Sequence, residues 1–149
     1  MSPTLFVDID GVMRTGWAVT QGTRLPEFSR EAVDALKYII ANVPNLHLVL
    51  SSAWRWEYGA SRTKQHFASY GIRGQWEGET PDLRDAPGIS SQNRRQAEIA
   101  RYLSANSQDD PFVILDDNTN LGSLEARQVK GMLTMAKARE AVRMLTEGM

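Results

Sequence analysis

An open, doubly wound α/β fold, with a parallel sheet between two layers of helices, is predicted by three observations. Short apolar runs alternate along the chain with stretches of helical periodicity. The first two such runs bracket one helix between Thr4 and Leu50, which makes a βαβ unit whose crossover is right-handed. Each of three runs is followed at once by acids or hydroxyls, as expected where strand ends open on a ligand cleft.

Thr4-Leu5-Phe6-Val7-Asp8-Ile9 is the first strand, stopped by the turn pair Asp10-Gly11. A polar stretch over 11–28 reads as a flap. Ser29 then caps a helix carrying Val33, Leu36 and Ile40, which ends near Asn42 to Pro44. Leu46 to Leu50 is the second strand. Beyond Ser51 the pattern weakens: Ser61 is the expected cap of a short helix that Gly71 ends, and Gly74 to Gly88 reads as loop, so 56–89 is taken as a small insert. A helix over Asn93 to Leu103 leads into the strand Phe112-Val113-Ile114-Leu115, which stops at Asp116-Asp117. A further strand is expected near Arg127 to Lys130. Thr134 caps the last helix, whose stripe of Ala138, Ala141, Val142 and Leu145 should pack on the sheet.

The 149 residues suit one domain, 1–149, with no linker long enough to divide it. Hydrophobic residues make up 42% and charged residues 23%, which excludes disordered and fibrous classes. With no apolar run of membrane-spanning length and no signal-peptide pattern, the expectation is a soluble, cytoplasmic protein without membrane association. Zero Cys rules out a disulfide-linked partner, thiolate metal sites and thiol nucleophiles, and two His are too few for a multi-histidine site. The formal charge of −1 argues against wholesale coating of nucleic acid, although 13 of the 17 basic residues are Arg, the side chain shaped for phosphate.

Asp8 and Asp10, Ser51 and Ser52, and Asp116 and Asp117 therefore converge on one edge of the sheet. Each piece alone has a plain structural explanation as turn, cap or loop. Together, four carboxylates in one place demand a cation, and an all-oxygen donor set suits Mg²⁺.

These residues resemble the haloacid dehalogenase (HAD) superfamily of aspartate-based phosphohydrolases. Phe6-Val7-Asp8-Ile9-Asp10-Gly11-Val12 is similar to its first motif, Leu48-Val49-Leu50-Ser51 to its second, and Phe112 to Asp117 to its fourth. More narrowly, Leu50-Ser51-Ser52-Ala53-Trp54-Arg55, the Arg95-x-x-Glu98-Ile99 helix and Ile114 to Asp117 resemble the small HAD domains of Swiss Army Knife RNA-repair proteins and polynucleotide phosphatases. The resemblance implies a HAD-like, Rossmannoid fold with a minimal cap or none, and a Mg²⁺-dependent phosphatase that works through an aspartyl-phosphate.

By that resemblance Asp8 is the nucleophile, Asp10 the general acid and base, and Ser51 the hydrogen-bond donor to the phosphoryl group, with Ser52 as its substitute. Asp8, the Asp10 carbonyl, and Asp116 or Asp117 would hold the metal. The family's third-motif Lys is missing, since no Lys lies between Gly71 and Asp116. Arg95 is the first candidate to replace it, with Arg94 and Lys64 as rivals. Arg14, Trp17, Trp54, Arg55, Trp56 and Tyr58 place cations beside rings, which favours a phosphate on a DNA or RNA end as the substrate, although each ring alone suits the core. The alternatives are a nucleotidase for free mononucleotides, a receiver-like module, and a module that binds phosphate or metal without turnover. A receiver carries its acidic pair after the first strand and its acceptor Asp after the third, the opposite of the order here.

Overall fold

The computed structural model describes residues 2–15, 25–106 and 110–147. Its middle layer is a parallel sheet of β1 (Thr4–Val7), β2 (His47–Leu50), β3 (Gln75–Glu79), β4 (Phe112–Asp116) and β5 (Gln128–Lys130), in the spatial order β3-β2-β1-β4-β5. The helices are α1 (Arg30–Asn42), α2 (Ala60–Ser69), α3 (Arg94–Ala105) and α4 (Met135–Thr146). Among the described residues no helix is long and apolar enough to cross a membrane.

Alternation along the strands divides the core in two. Leu5, Val7, Leu48, Leu50, Val113 and Leu115 face one side, where they join Leu36 and Ile39 of α1, Phe67 of α2 and Ala138, Ala141 and Leu145 of α4. Phe6, Val49 and Ile114 face the other and meet Ile99 of α3 and Leu121. The three-layer, doubly wound fold expected from the sequence is thus present. From β1 the chain moves outward through β2 to β3, then crosses α3 to β4 and continues to β5. The direction of winding reverses between β1 and β4, and such a reversal leaves a crevice beyond the strand ends.

Two predicted caps form as expected: the Ser29 hydroxyl accepts from the Ala32 N–H at 3.4 Å, and that of Thr134 from the Lys137 N–H at 3.2 Å. Ser61 does not cap α2. The chain is already helical at Trp54, passes through a wide turn over Arg55–Gly59, and enters α2 from Gly59, whose φ of 93° suits a residue without Cβ. Ser61 consequently falls inside the helix.

The stretch read as loop over 74–88 contains β3, an edge strand that pairs with β2. Gln75-Trp76-Glu77-Gly78-Glu79 has no apolar run, because its residues alternate only between exposed and half-buried. The expected insert over 56–89 therefore supplies α2 and β3 to the fold itself. Of the flap over 11–28, residues 16–24, including Trp17, lie outside the described residues. The segment after them is pinned by Phe28, which is buried and stacks on Tyr70 at a centroid distance of 5.0 Å.

Candidate active site

Strand register sets the first row of the site. Val7 lies opposite both Leu50 and Leu115, the Ser51 N–H donates to the Val7 carbonyl at 2.9 Å, and the Asp8 N–H donates to the Leu115 carbonyl at 3.0 Å. Asp8, Ser51 and Asp116 thus stand side by side at the carboxyl ends of three adjacent strands. All three are buried, and the Ser51 hydroxyl has no hydrogen-bond partner.

Arg95, one residue into α3, reaches across the crevice to two of the acids. Its Nη1 lies 2.7 Å from Asp116 Oδ2 and 3.3 Å from Asp8 Oδ2. Burial pushes the Asp8 carboxyl well above the ordinary carboxylate range; Arg95 draws it down, and Asp116 drives it up again. Burial also works against the charge of Arg95, but Asp8 and Asp116 outweigh it and keep the guanidinium cationic.

Asp8, Asp116 and Asp117 each present a carboxylate oxygen within 4.8 Å of the others. Asp116 is buried and Asp117 exposed, the latter with its pKa raised by partial burial and by Asp116. Among the described residues, these three carboxylates against Arg95 leave a formal charge of −2. An all-oxygen cluster with that deficit fits a hard divalent cation. Gly11 makes the close approach of Asp117 possible. Its φ is 84°, and a Cβ there would lie 2.0 Å from Asp117 Oδ2.

Asp10 sits at the rim, with its side chain about half exposed. Arg14 Nη1 donates to its Oδ1 at 2.8 Å and Trp54 Nε1 to its Oδ2 at 3.2 Å, so both oxygens are held from behind. Asp8, Asp10, Gly11, Ser52, Arg95 and Asp117 bound a cleft of about 280 Å³. Ser52 contributes through the turn, since its hydroxyl accepts from the Trp54 N–H at 3.1 Å.

The other residues singled out from the sequence lie differently. Arg55 is buried and does not border this cleft, with Nε on the Thr80 carbonyl, Nη1 on that of Ser52, and Nη2 on that of Pro81 and on Glu98 Oε2 at 2.8 Å. Each of its guanidinium nitrogens is thus engaged by the fold. Lys64 pairs with Glu79 at 3.0 Å and does not border the cleft. Arg94 lines an adjoining hollow with Arg95. Trp54 is core, as a lone Trp suggested, while its indole N–H serves Asp10. Trp56 is exposed and carries the Arg84 guanidinium 3.8 Å over its ring.

One residue outside the expected set proves central to this arrangement. Glu98 is buried and joins Arg55, the Leu83 N–H at 3.0 Å and, at 3.8 Å, Arg95. The Arg95-x-x-Glu98 spacing carries the signal, since it puts both on one helix face, although Glu98 was assigned no role from the sequence.

A family model described as the HAD domain in Swiss Army Knife RNA repair proteins matches residues 4–138. No curated protein and no solved structure matches the chain.

Proposed function

The chain belongs to the family of HAD domains found in Swiss Army Knife RNA repair proteins, and from that premise we propose a Mg²⁺-dependent phosphomonoesterase that uses an aspartyl-phosphate, with nucleic-acid ends as substrates. The observation that carries the reading is the pairing of a buried Asp8, gripped by Arg95, with a rim Asp10 braced by Arg14 and Trp54. On this reading the first carboxylate attacks and the second exchanges protons with solvent and leaving group.

An Asp8 carboxylate oxygen attacks phosphorus, and the bond to the leaving oxygen breaks as Asp10 hands that oxygen a proton. Water then attacks the aspartyl-phosphate, Asp10 takes the water's proton, and inorganic phosphate leaves with Asp8 restored. The Ser51 hydroxyl, buried without a partner, would donate to a phosphoryl oxygen. Arg95 stands in for the third-motif Lys, and its planar fork supplies charge to the pentavalent phosphorus. Asp8, Asp117, Asp116 and the Asp10 carbonyl would hold Mg²⁺, which supplies screening of the repulsion between the Asp8 carboxylate and the phosphate dianion.

The described part of the rim carries no helical cap over the cleft. The exposed Trp56, which borders the adjoining hollow, favours a nucleic-acid end over a free mononucleotide. The test is phosphate release with and without Mg²⁺ from p-nitrophenyl phosphate, mononucleotides and 3′- or 5′-phosphorylated oligonucleotides, with Asp8→Asn as control. Metal-dependent release that is fastest from oligonucleotides is expected. Faster release from mononucleotides would make the protein a nucleotidase, and Mg²⁺ binding without release from any substrate would make it a binding module.

A further inference from the structure

Next to the acidic cleft is a second hollow of about 130 Å³, bordered by Trp56, Ser91, Arg94 and Asn118. Ala53 and Arg95 form the wall between the two and border both. The electrostatics of the two hollows are opposite. The cleft has an excess of carboxylates, whereas the smaller hollow is faced by three guanidiniums, those of Arg55, Arg94 and Arg95, against the single carboxylate of Glu98.

Two of those guanidiniums are already committed. Arg55 is bonded to three backbone carbonyls and Glu98, and Arg95 to Asp8 and Asp116. Arg94 makes no ion pair among the described residues, and its Nε is buried without a hydrogen-bond partner. A guanidinium donor removed from water and left unbonded is costly, and an anionic acceptor relieves that cost best. Ser91 and Asn118 add neutral donors, and Trp56 offers a ring at the edge.

We propose that this hollow is a second anion subsite, centred on Arg94, which takes the phosphate one nucleoside away from the group being hydrolysed. The assignment rests on the phosphatase reading above. A substrate whose terminal phosphate lies against Asp8 passes over the Ala53 and Arg95 wall, and its next phosphate meets Arg94. The chemical class is an oligonucleotide end, whose terminal monoester and adjoining phosphodiester are borne by one nucleoside. A free nucleoside 3′,5′-bisphosphate carries phosphoryl groups at the same two positions, the second as a monoester instead of a diester, and serves as the probe.

The experiment is calorimetric titration in Mg²⁺ of the full chain carrying Asp8→Asn, so that turnover cannot consume the probes. Adenosine 3′,5′-bisphosphate is compared with the 3′- and 5′-monophosphates and with a 5′-phosphorylated dinucleotide. The bisphosphate is expected to bind at least about tenfold more tightly than either monophosphate, the size of one charge-assisted contact. Adding Arg94→Gln should bring that ratio to within about twofold, and Arg94→Lys should restore part of it. A ratio near one before Arg94 is changed, or one that survives Arg94→Gln, overturns the subsite. Should Arg94→Gln fold poorly, Ser91→Ala provides a second variant, in which an unaltered ratio also counts against it. A 5′-phosphorylated dinucleotide that binds no more tightly than the 5′-monophosphate overturns the assignment to nucleic-acid ends. Because binding is read without turnover, a wild-type protein that releases no phosphate but retains the ratio refutes the phosphatase and leaves the subsite standing.

Discussion

Around Arg55, on the β2 and β3 side of the sheet's carboxyl edge, every guanidinium nitrogen has a protein acceptor and the charge is met by Glu98. Around Asp8, on the β1 and β4 side, three carboxylates share one guanidinium and a buried hydroxyl stays unbonded. Both clusters are buried ends of the same sheet. The first is closed, its desolvation cost offset within the fold, so its loss should appear as instability. The second, among the described residues, is left short of positive charge and of one acceptor, which a cation and a phosphoryl group would supply on the proposed reading. On the proposed function, the closed polar network holds the site in place and the open one does its chemistry.

The largest expected effect falls on the open cluster. Asp8→Asn should lower phosphate release by at least ~10³-fold while the melting temperature in the absence of Mg²⁺ stays the same or rises, since a carboxylate under repulsion is removed. Residual activity above a few per cent in a phosphate-release assay would contradict the nucleophile assignment. The closed cluster should respond the other way. Arg55→Ala leaves Glu98 and three carbonyls short of donors and should cost about 3–5 kcal/mol, or roughly 10 °C in Tm, by thermal and urea melts. A Tm within error of wild type would mean that the network is not the strut described here.

Gly11→Ala tests the boundary of the open cluster. The left-handed backbone costs about 1–2 kcal/mol for an L side chain, and the new methyl must displace Asp117. Weaker Mg²⁺ binding by calorimetry is expected together with that loss of stability. Unchanged Mg²⁺ affinity would separate Asp117 from the metal.

The smallest effect lies away from both clusters, at Glu77. Tyr102 and then His47 donate to its carboxylate and lower its pKa from the ordinary 4.5. A carboxyl depressed by folding contributes stability above its unfolded value of about 4.5, and that contribution is lost as pH falls through the lower folded value. Tyr102→Phe should therefore cost only about 0.5 kcal/mol at neutral pH, given solvent screening, and flatten the acid side of the stability profile. Equal losses at pH 7 and at pH 3 would be inconsistent with this linkage.

Much of the fold was legible because its signals are local. The three buried strands β1, β2 and β4 show as apolar runs, and Ser29 and Thr134 announce their helices through hydroxyls that meet N–H groups three residues on. Strand β3 was not legible, because an edge strand of Gln, Trp, Glu and Gly has no apolar alternation and owes its conformation to pairing with β2. The start of α2 was misplaced at Ser61 because the wide turn at Arg55–Gly59 is held by tertiary bonds from Arg55 that no short pattern encodes.

For the site, the sequence by itself determined which groups stand at the strand ends. An acid or hydroxyl directly after an apolar run must emerge at the carboxyl edge of a parallel sheet, and Asp8, Asp10, Ser51, Asp116 and Asp117 all do. Only the tertiary structure decided which cation each carboxylate meets. Arg14, Arg55, Arg94 and Arg95 are alike in sequence, yet one braces Asp10, one is held by backbone carbonyls, one lines the hollow beside the cleft and one bridges Asp8 to Asp116. The reason is physical. Strand and cap signals act over a few residues, whereas the partner of a long, charged side chain is set by which distant segments the folded chain brings within about 3 Å.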